Sequence, residues 1–226
     1  MASKTVSTRM MVTSDTHEHE LDGRNMPEVD VLIHTGDLTH SQDLVRLQKS
    51  VKADLKLEIA HEGGHKAALY IMTGVLARDA GVTNPEEGVS HFQLIGFIAT
   101  NPIPGTGKDL VITHVPPHSI LESNFGCCNL LRAVSRTRPP MHCFGHVHES
   151  YGSKLVTWNP DGSVKEPEKA TRLETEEVDE YSYPYEWPIK RGQQPLMVNA
   201  ALVMDTSKGS KLNNKPFVVT LDLPYQ

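Results

Sequence analysis

A chain of 226 residues, 38% hydrophobic and 22% charged, can bury a core without disulfide or metal staples, and its composition excludes collagen-like and disordered classes. A net charge of −6 argues against a general nucleic-acid or membrane-surface binder, which needs a basic face, and no apolar run approaches the roughly 20 residues of a membrane helix. Three cysteines, two of them adjacent (Cys127, Cys128), make no disulfide framework. With no signal-peptide core at the start, the expectation is a single cytoplasmic domain over residues 1–226.

Short β-branched and apolar runs alternate with helix-like patterns, as in an α/β domain. Strands are expected at Val6–Val12, Val29–His34, Leu55–Ala60, His91–Ala99, Asp109–Thr113, Met141–Phe144, Lys154–Trp158, Leu196–Asn199 and Phe217–Leu223. Helices are expected at Ser41–Val51, at Gly64–Ala80 with a stop at Gly81, and at Cys127–Arg138 before Pro139-Pro140. The segment 159–194 reads as an acidic surface insertion, partly mobile, because it has few aliphatic residues to bury. Between Lys165 and Trp187 it holds eight acids against three bases, so −5 of the total charge lies there. Its cluster Tyr181-Ser-Tyr-Pro-Tyr-Glu-Trp-Pro188 reads as packing of that insertion, with a lid over a site as the sharper alternative.

The 12 histidines are not scattered. Expected strands run into Asp15-Thr-His17, Gly36-Asp37, His61-Glu62, His114 and Gly145-His-Val-His148. Ligands gather at the carboxyl ends of strands in open α/β sheets, so these loops can converge. Mixed imidazole and carboxylate suits Zn, Mn or Fe rather than Mg or Ca, and two ions roughly 3.5–4 Å apart need a bridging carboxylate such as Asp37. Each piece alone is weak: Asp-x-His recurs by chance, and Gly-Asp after a strand is more often a turn. Their joint occurrence, in order and each after a strand, points to a metal site. His34, inside an apolar strand, reads as a hydrogen-bonded core residue. His19, His40, His91, His118 and His142 read as surface or structural. Cys127 and Cys128 read as buried structural thiols rather than nucleophiles, and Arg132, Arg136 and Arg138 as a solvated helix face.

The order Asp15-x-His17, Gly36-Asp37, His114, Gly145-His146-x-His148 resembles the calcineurin-like metallophosphoesterase superfamily. Val31-Leu-Ile-His-Thr-Gly-Asp-Leu-Thr39, Val111-Ile-Thr-His-Val-Pro-Pro117, Gly126-Cys, Leu130-Leu-Arg-Ala-Val134, His142-Cys-Phe-Gly-His-Val-His148 and Val198-Asn-Ala-Ala201 resemble its brain-type metallophosphoesterase-domain branch and fungal relatives. The resemblance implies a four-layer α/β/β/α sandwich holding two divalent ions. Asp15, His17 and His148 would hold the first ion, Asp37 would bridge, and His114 and His146 would hold the second. The implied activity is hydrolysis of phosphodiesters, of cyclic-nucleotide or aryl type, by a metal-bound hydroxide. The implied partner is a small-molecule phosphodiester or nucleotide.

One departure stands out. The family carries Gly-Asn-His-Asp after its third strand, where Asn is a metal ligand and His a candidate acid. Here Leu55–Ala60 runs into His61-Glu-Gly-Gly-His65. Either a block is deleted, which the helix-entry pattern after Gly63 favours, or Glu62 or His61 stands in as ligand and His65 as the acid. His61 and His65 are therefore catalytic candidates and Glu62 a metal candidate, with the second ion expected to be the weaker. A second contraction is expected around Phe97–Pro104. Two other classes stay open: a degenerate metal- or nucleotide-binding member without turnover, and an enzyme using the metals as Lewis acids on a non-phosphate substrate.

Overall fold

The computed structural model describes residues 5–21, 27–40, 68–71, 109–165, 175–178, 181–184, 189, 192–204 and 211–224. Two sheets stack face to face. The larger is built from β1 (Thr5–Thr13), β2 (Val31–His34), β3 (Ala68–Ile71), β9 (Thr175–Val178), β10 (Tyr181–Pro184) and β12 (Phe217–Pro224), in the order β3-β2-β1-β12-β10-β9. The smaller has β4 (Leu110–Ile112), β5 (Met141–Phe144), β6 (Gly152–Leu155) and β11 (Leu196–Asn199), in the order β4-β5-β11-β6. A two-stranded ribbon, β7 (Thr157–Trp158) with β8 (Val164–Lys165), stands apart.

Alternation of side chains explains the stacking, because successive residues of a strand face opposite sides. Met10, Val12, Ile33, Phe217 and Val219 from the larger sheet meet Leu110, Met141, Cys143, Leu196 and Val198 from the smaller. The intervening residues of the smaller sheet, Val111, Phe144 and Met197, face outward onto α1 (Cys128–Thr137) through Leu130, Ala133 and Val134. On the other outer face Met11, Leu32 and Val218 pack with Val29 and Leu21. The described residues thus give a mixed α/β fold, with the α, β and β layers of the expected sandwich. The second helical layer that was expected is not seen among the described residues.

Helix α1 starts and stops as its sequence dictates. The Cys127 sulfur accepts the Leu130 amide at 3.4 Å, which makes this half-buried thiol a cap, and Cys128 is exposed, so the pair is not buried as expected. Arg138 takes a left-handed conformation (φ 46°) and returns its amide to Val134 O at 2.7 Å, just before two prolines stop the helix. The Arg138 side chain donates to the carbonyls of Ser135 and Gly192, a structural role rather than a solvated face.

Three expectations change. Residues 68–71 form β3, parallel to β2 from Val31↔Ala68 to His34↔Ile71, where a helix over Gly64–Ala80 was expected. A short apolar run has no decisive period, and pairing with an open strand edge settles it. Lys154–Trp158 divides at Val156 into β6 and β7. In the acidic insertion, 175–178 and 181–184 are paired strands rather than loop: β9 and β10 form a hairpin, and Ser182 of β10 pairs with Phe217 of β12. The expected elements Ser41–Val51, Leu55–Ala60 and His91–Ala99, and the contraction around Phe97–Pro104, lie outside the described residues. Among the described residues, no helix is long and apolar enough to cross a membrane.

Candidate metal centre

The parallel strands β1 and β2 of one sheet, and β4 and β5 of the other, release their loops at a common edge, where Ser14 also bridges to Ala201. Asp15 and His17 follow β1, Asp37 follows β2, His114 follows β4, and His146 and His148 follow β5. Two groups result, Asp15–His17–His148 and Asp37–His114–His146, with the potential ligand atoms of each within 4.8 Å of one another.

In the first group Asp15 is wholly buried. Its Oδ1 lies 3.1 Å from His148 Nε2 and its Oδ2 accepts the His146 amide at 2.9 Å. His17 Nε2 comes within 3.4 Å of His148 Nε2. Burial works to raise the Asp15 pKa, but hydrogen bonds from His148, Ser14 and the His146 amide, with His114 nearby, bring it down to about 2. Asp15 is therefore an anion at neutral pH. Burial lowers the His17 pKa against the pull of Asp37, and the bond to Asp15 raises that of His148.

In the second group the His114 Nδ1 donates to Thr35 O at 3.2 Å. That leaves an Nε2 lone pair facing Asp37 Oδ2 at 3.4 Å, and this buried nitrogen makes no hydrogen bond. Burial opposes protonation of His114, yet the facing Asp37 raises its pKa overall. Two acceptors turned toward each other call for a proton or a cation between them. A backbone carbonyl holding the far nitrogen is the usual support of a metal-ligating histidine. The same Asp37 oxygen lies 4.0 Å from His17 Nε2, so one carboxylate faces both groups. Donor chemistry and geometry both fit a pair of divalent ions.

The backbone is held in unusual conformations here. Asp15, His17, Asp37 and His146 have φ of 52°, 46°, 50° and 69°, a region non-glycine residues seldom adopt, and such residues cluster where a site demands them. Two glycines permit close approach. A Cβ at Gly36 (φ +132°) would run into the His114 ring, and one at Gly145 into the Asp15 carboxylate and the Ser14 hydroxyl.

Of the residues expected at the site, Asp15, His17, Asp37, His114, His146 and His148 are brought together. His61, Glu62 and His65 lie outside the described residues. The strand-end pattern passed over three others. His40, read as surface or structural, stacks on His17 with ring centroids 4.5 Å apart; nothing in its spacing marks it. Asn199, wholly buried, donates to the carbonyls of Leu121 and Val147 and accepts the Ala201 amide, so it braces the turn between His146 and His148. Its spacing gives no signal, since it is the last residue of β11 whereas the His/Asp groups lie beyond their strands. His142, also wholly buried, lies 2.8 Å from Thr113 Oγ1, which donates to Val115 O and frames His114.

No family model matches the chain. It is 28% identical over 191 residues to a protein of Emericella nidulans named probable rhamnogalacturonate lyase C, covering 67% of this chain and 18% of that one. It is 28% identical over 189 residues to a UPF0046 protein of Caenorhabditis elegans, covering 64% of each. It is 28% identical over 205 residues to metallophosphoesterase domain-containing protein 1 of Homo sapiens, covering 64% of this chain and 62% of that one. The chain thus spans less than two thirds of each of these relatives. A solved structure from Streptococcus pneumoniae, described as a predicted phosphoesterase, overlays with a TM-score of 0.33 at 14% identity, over 87% of this chain and 100% of that one; a likeness so slight bears on neither fold nor function. By these relatives the chain is a homologue of the metallophosphoesterase-domain and UPF0046 proteins, and its motifs are consistent with the calcineurin-like metallophosphoesterase superfamily that they resemble.

Proposed function

We propose that this protein is a metal-dependent phosphoesterase hydrolysing small phosphodiesters, of cyclic-nucleotide or aryl type, in the cytoplasm. The observation that carries the reading is the pair of His/Asp groups at one sheet edge, with a single Asp37 oxygen facing both His17 and His114. Divalent ions bound there supply Lewis-acid polarisation of a phosphoryl oxygen and activation of water at neutral pH. Asp15, His17 and His148 would hold one ion, His114 and His146 the other, and Asp37 would be shared. Asp15 also takes the His146 amide on its second oxygen, so one buried carboxylate orients a ligand from each group. His61 or Glu62 is the candidate for the position that Asn fills in relatives, and His65 for the leaving-group acid. Loss of a general acid costs about 10²–10⁴-fold, and good leaving groups need it least. Aryl phosphodiesters are therefore the preferred test substrates.

The test is elemental analysis of chelator-free protein together with turnover of bis-p-nitrophenyl phosphate in added Mn²⁺. Near two ions per chain, with activity lost in Asp15→Ala, supports the reading. One ion or none, with turnover no greater than that variant, would sink it. One finding favours a second reading, a metal centre acting on a non-phosphate substrate: the likeness to a protein named for lyase activity, although the chain spans 18% of that protein. Inorganic phosphate or vanadate should inhibit the phosphoesterase and leave the alternative untouched.

A further inference from the structure

His34 ends β2 and is wholly buried, and its two ring nitrogens reach two different loops. The Gly36 amide donates to Nδ1 at 3.3 Å. A neutral imidazole that accepts at Nδ1 carries its proton on Nε2, and Nε2 lies 3.0 Å from Thr16 Oγ1. Thr16 sits between Asp15 and His17, and Gly36 precedes Asp37. We infer that His34 is a positioning residue for the metal centre, its Nε2 holding the Asp15–His17 loop and its Nδ1 holding the Asp37 loop. The inference rests on reading Asp15, His17 and Asp37 as metal ligands.

The two loops are already joined along their backbones, Asp15 N to Gly36 O at 2.9 Å and His17 N to Asp37 O at 3.0 Å. Those bonds set the separation of the chains. They do not by themselves hold Asp15, His17 and Asp37 at positive φ, which persists only where the surroundings over-determine it. The imidazole adds that determination. With it, both peptides that flank the Gly36 Cα are engaged, the Gly36 amide by His34 and the Gly36 carbonyl by Asp15. Burial keeps the ring neutral, with a pKa pushed down to about 4, so both bonds keep their polarity at neutral pH.

The two halves of the clamp can be separated chemically. A glutamine amide nitrogen stands near the place of Nε2, and an asparagine amide oxygen near that of Nδ1. The experiment is calorimetric titration of Co²⁺ into the chelator-stripped full chain, with the visible spectrum of bound cobalt reporting coordination at each site. Partners of metal-ligand loops are typically worth about 10–100-fold in affinity. His34→Gln should weaken the site of Asp37, His114 and His146 by that factor and spare the other. His34→Asn should weaken the site of Asp15, His17 and His148 instead, and Thr16→Val should match it from the opposite side. Should either histidine variant fail to fold, as read by circular dichroism, Thr16→Val decides. Two cobalt sites in the parent with all variants unchanged, or both sites weakened equally by Gln and Asn, would overturn the inference alone. A parent that takes up no cobalt would overturn the metal reading and this inference with it.

Discussion

At His142, burial can be read without reference to any metal. The ring is wholly enclosed on β5, and burial alone pushes its pKa down to about 3. In the unfolded chain it takes up a proton near pH 6.5, so between about 6.5 and 3 the unfolded state holds the extra proton. Stability contributed by this site is fully present above pH 6.5 and declines by about 1.4 kcal/mol per pH unit as the pH falls through that window. His142→Gln keeps an amide donor for Thr113 and removes the titration. Urea unfolding from pH 7 to 4 should therefore show a shallower acid decline in the variant, and parallel curves would mean that the ring is not held neutral. The residues proposed as ligands are also unequal. Asp15 is wholly buried, whereas the Asp37 side chain is 34% exposed. Asp15→Ala should remove the first ion and much of the alignment of His146, whereas Asp37→Ala should leave the first ion bound, as metal counts on the two variants would show.

Secondary-structure elements matter here mainly for where they end. The loop after β5 approaches the end of β1 so closely that Gly145 lies against Asp15 and Ser14. Neither partner can yield as a flexible surface side chain would. Gly145→Ala should cost about 1–3 kcal/mol of stability, the usual cost of overpacking, and lower the metal count with it. Wild-type melting temperature and stoichiometry in this variant would show that the loops have slack. Away from the site, α1 is fastened to the smaller sheet by Leu130, Ala133 and Val134. Leu130→Ala should cost about 2–5 kcal/mol by leaving a cavity, with metal binding unchanged when measured below the midpoint of unfolding. Loss of both together would mean that the helix supports the site directly. The hairpin of β9 and β10 lengthens the larger sheet.

Over the whole molecule, the site exists because two sheets stack with the carboxyl ends of their parallel strands at a shared edge. Each ligand group draws on more than one loop, and both draw on both sheets: β1 with β5, and β2 with β4 and β5. Under the proposed function, ions bound there would cross-link the sandwich and bind the folded chain only. Mass action then adds stability, about 2.7 kcal/mol at a metal concentration 100 times Kd. Chelator treatment should lower the melting temperature of the parent, and Mn²⁺ should restore it. Asp15→Ala should respond weakly to both. An unchanged melting temperature in the parent would argue that no ion is held across the sheets.

Local chemistry made much of this legible in the sequence. Met141–Phe144 and Leu196–Asn199 are the strands expected, and α1 differs by one residue at each end, because short apolar runs and a proline stop act within a few residues. That Asp15, His17, Asp37, His114, His146 and His148 come together was also to be expected, because polar residues within a few positions of a buried strand's end are carried to the sheet edge. Contact decided the rest. Which loops meet, and that Asp37 faces both His17 and His114, depends on stacking two sheets whose strands lie far apart in the chain. Residues 68–71 became a strand because β2 offered an open edge, not through any period of their own. His34, His142 and Asn199 act through bonds to partners on other loops, and His40 through its stack on His17. A linear pattern carries spacing but not proximity, so only tertiary structure could assign them.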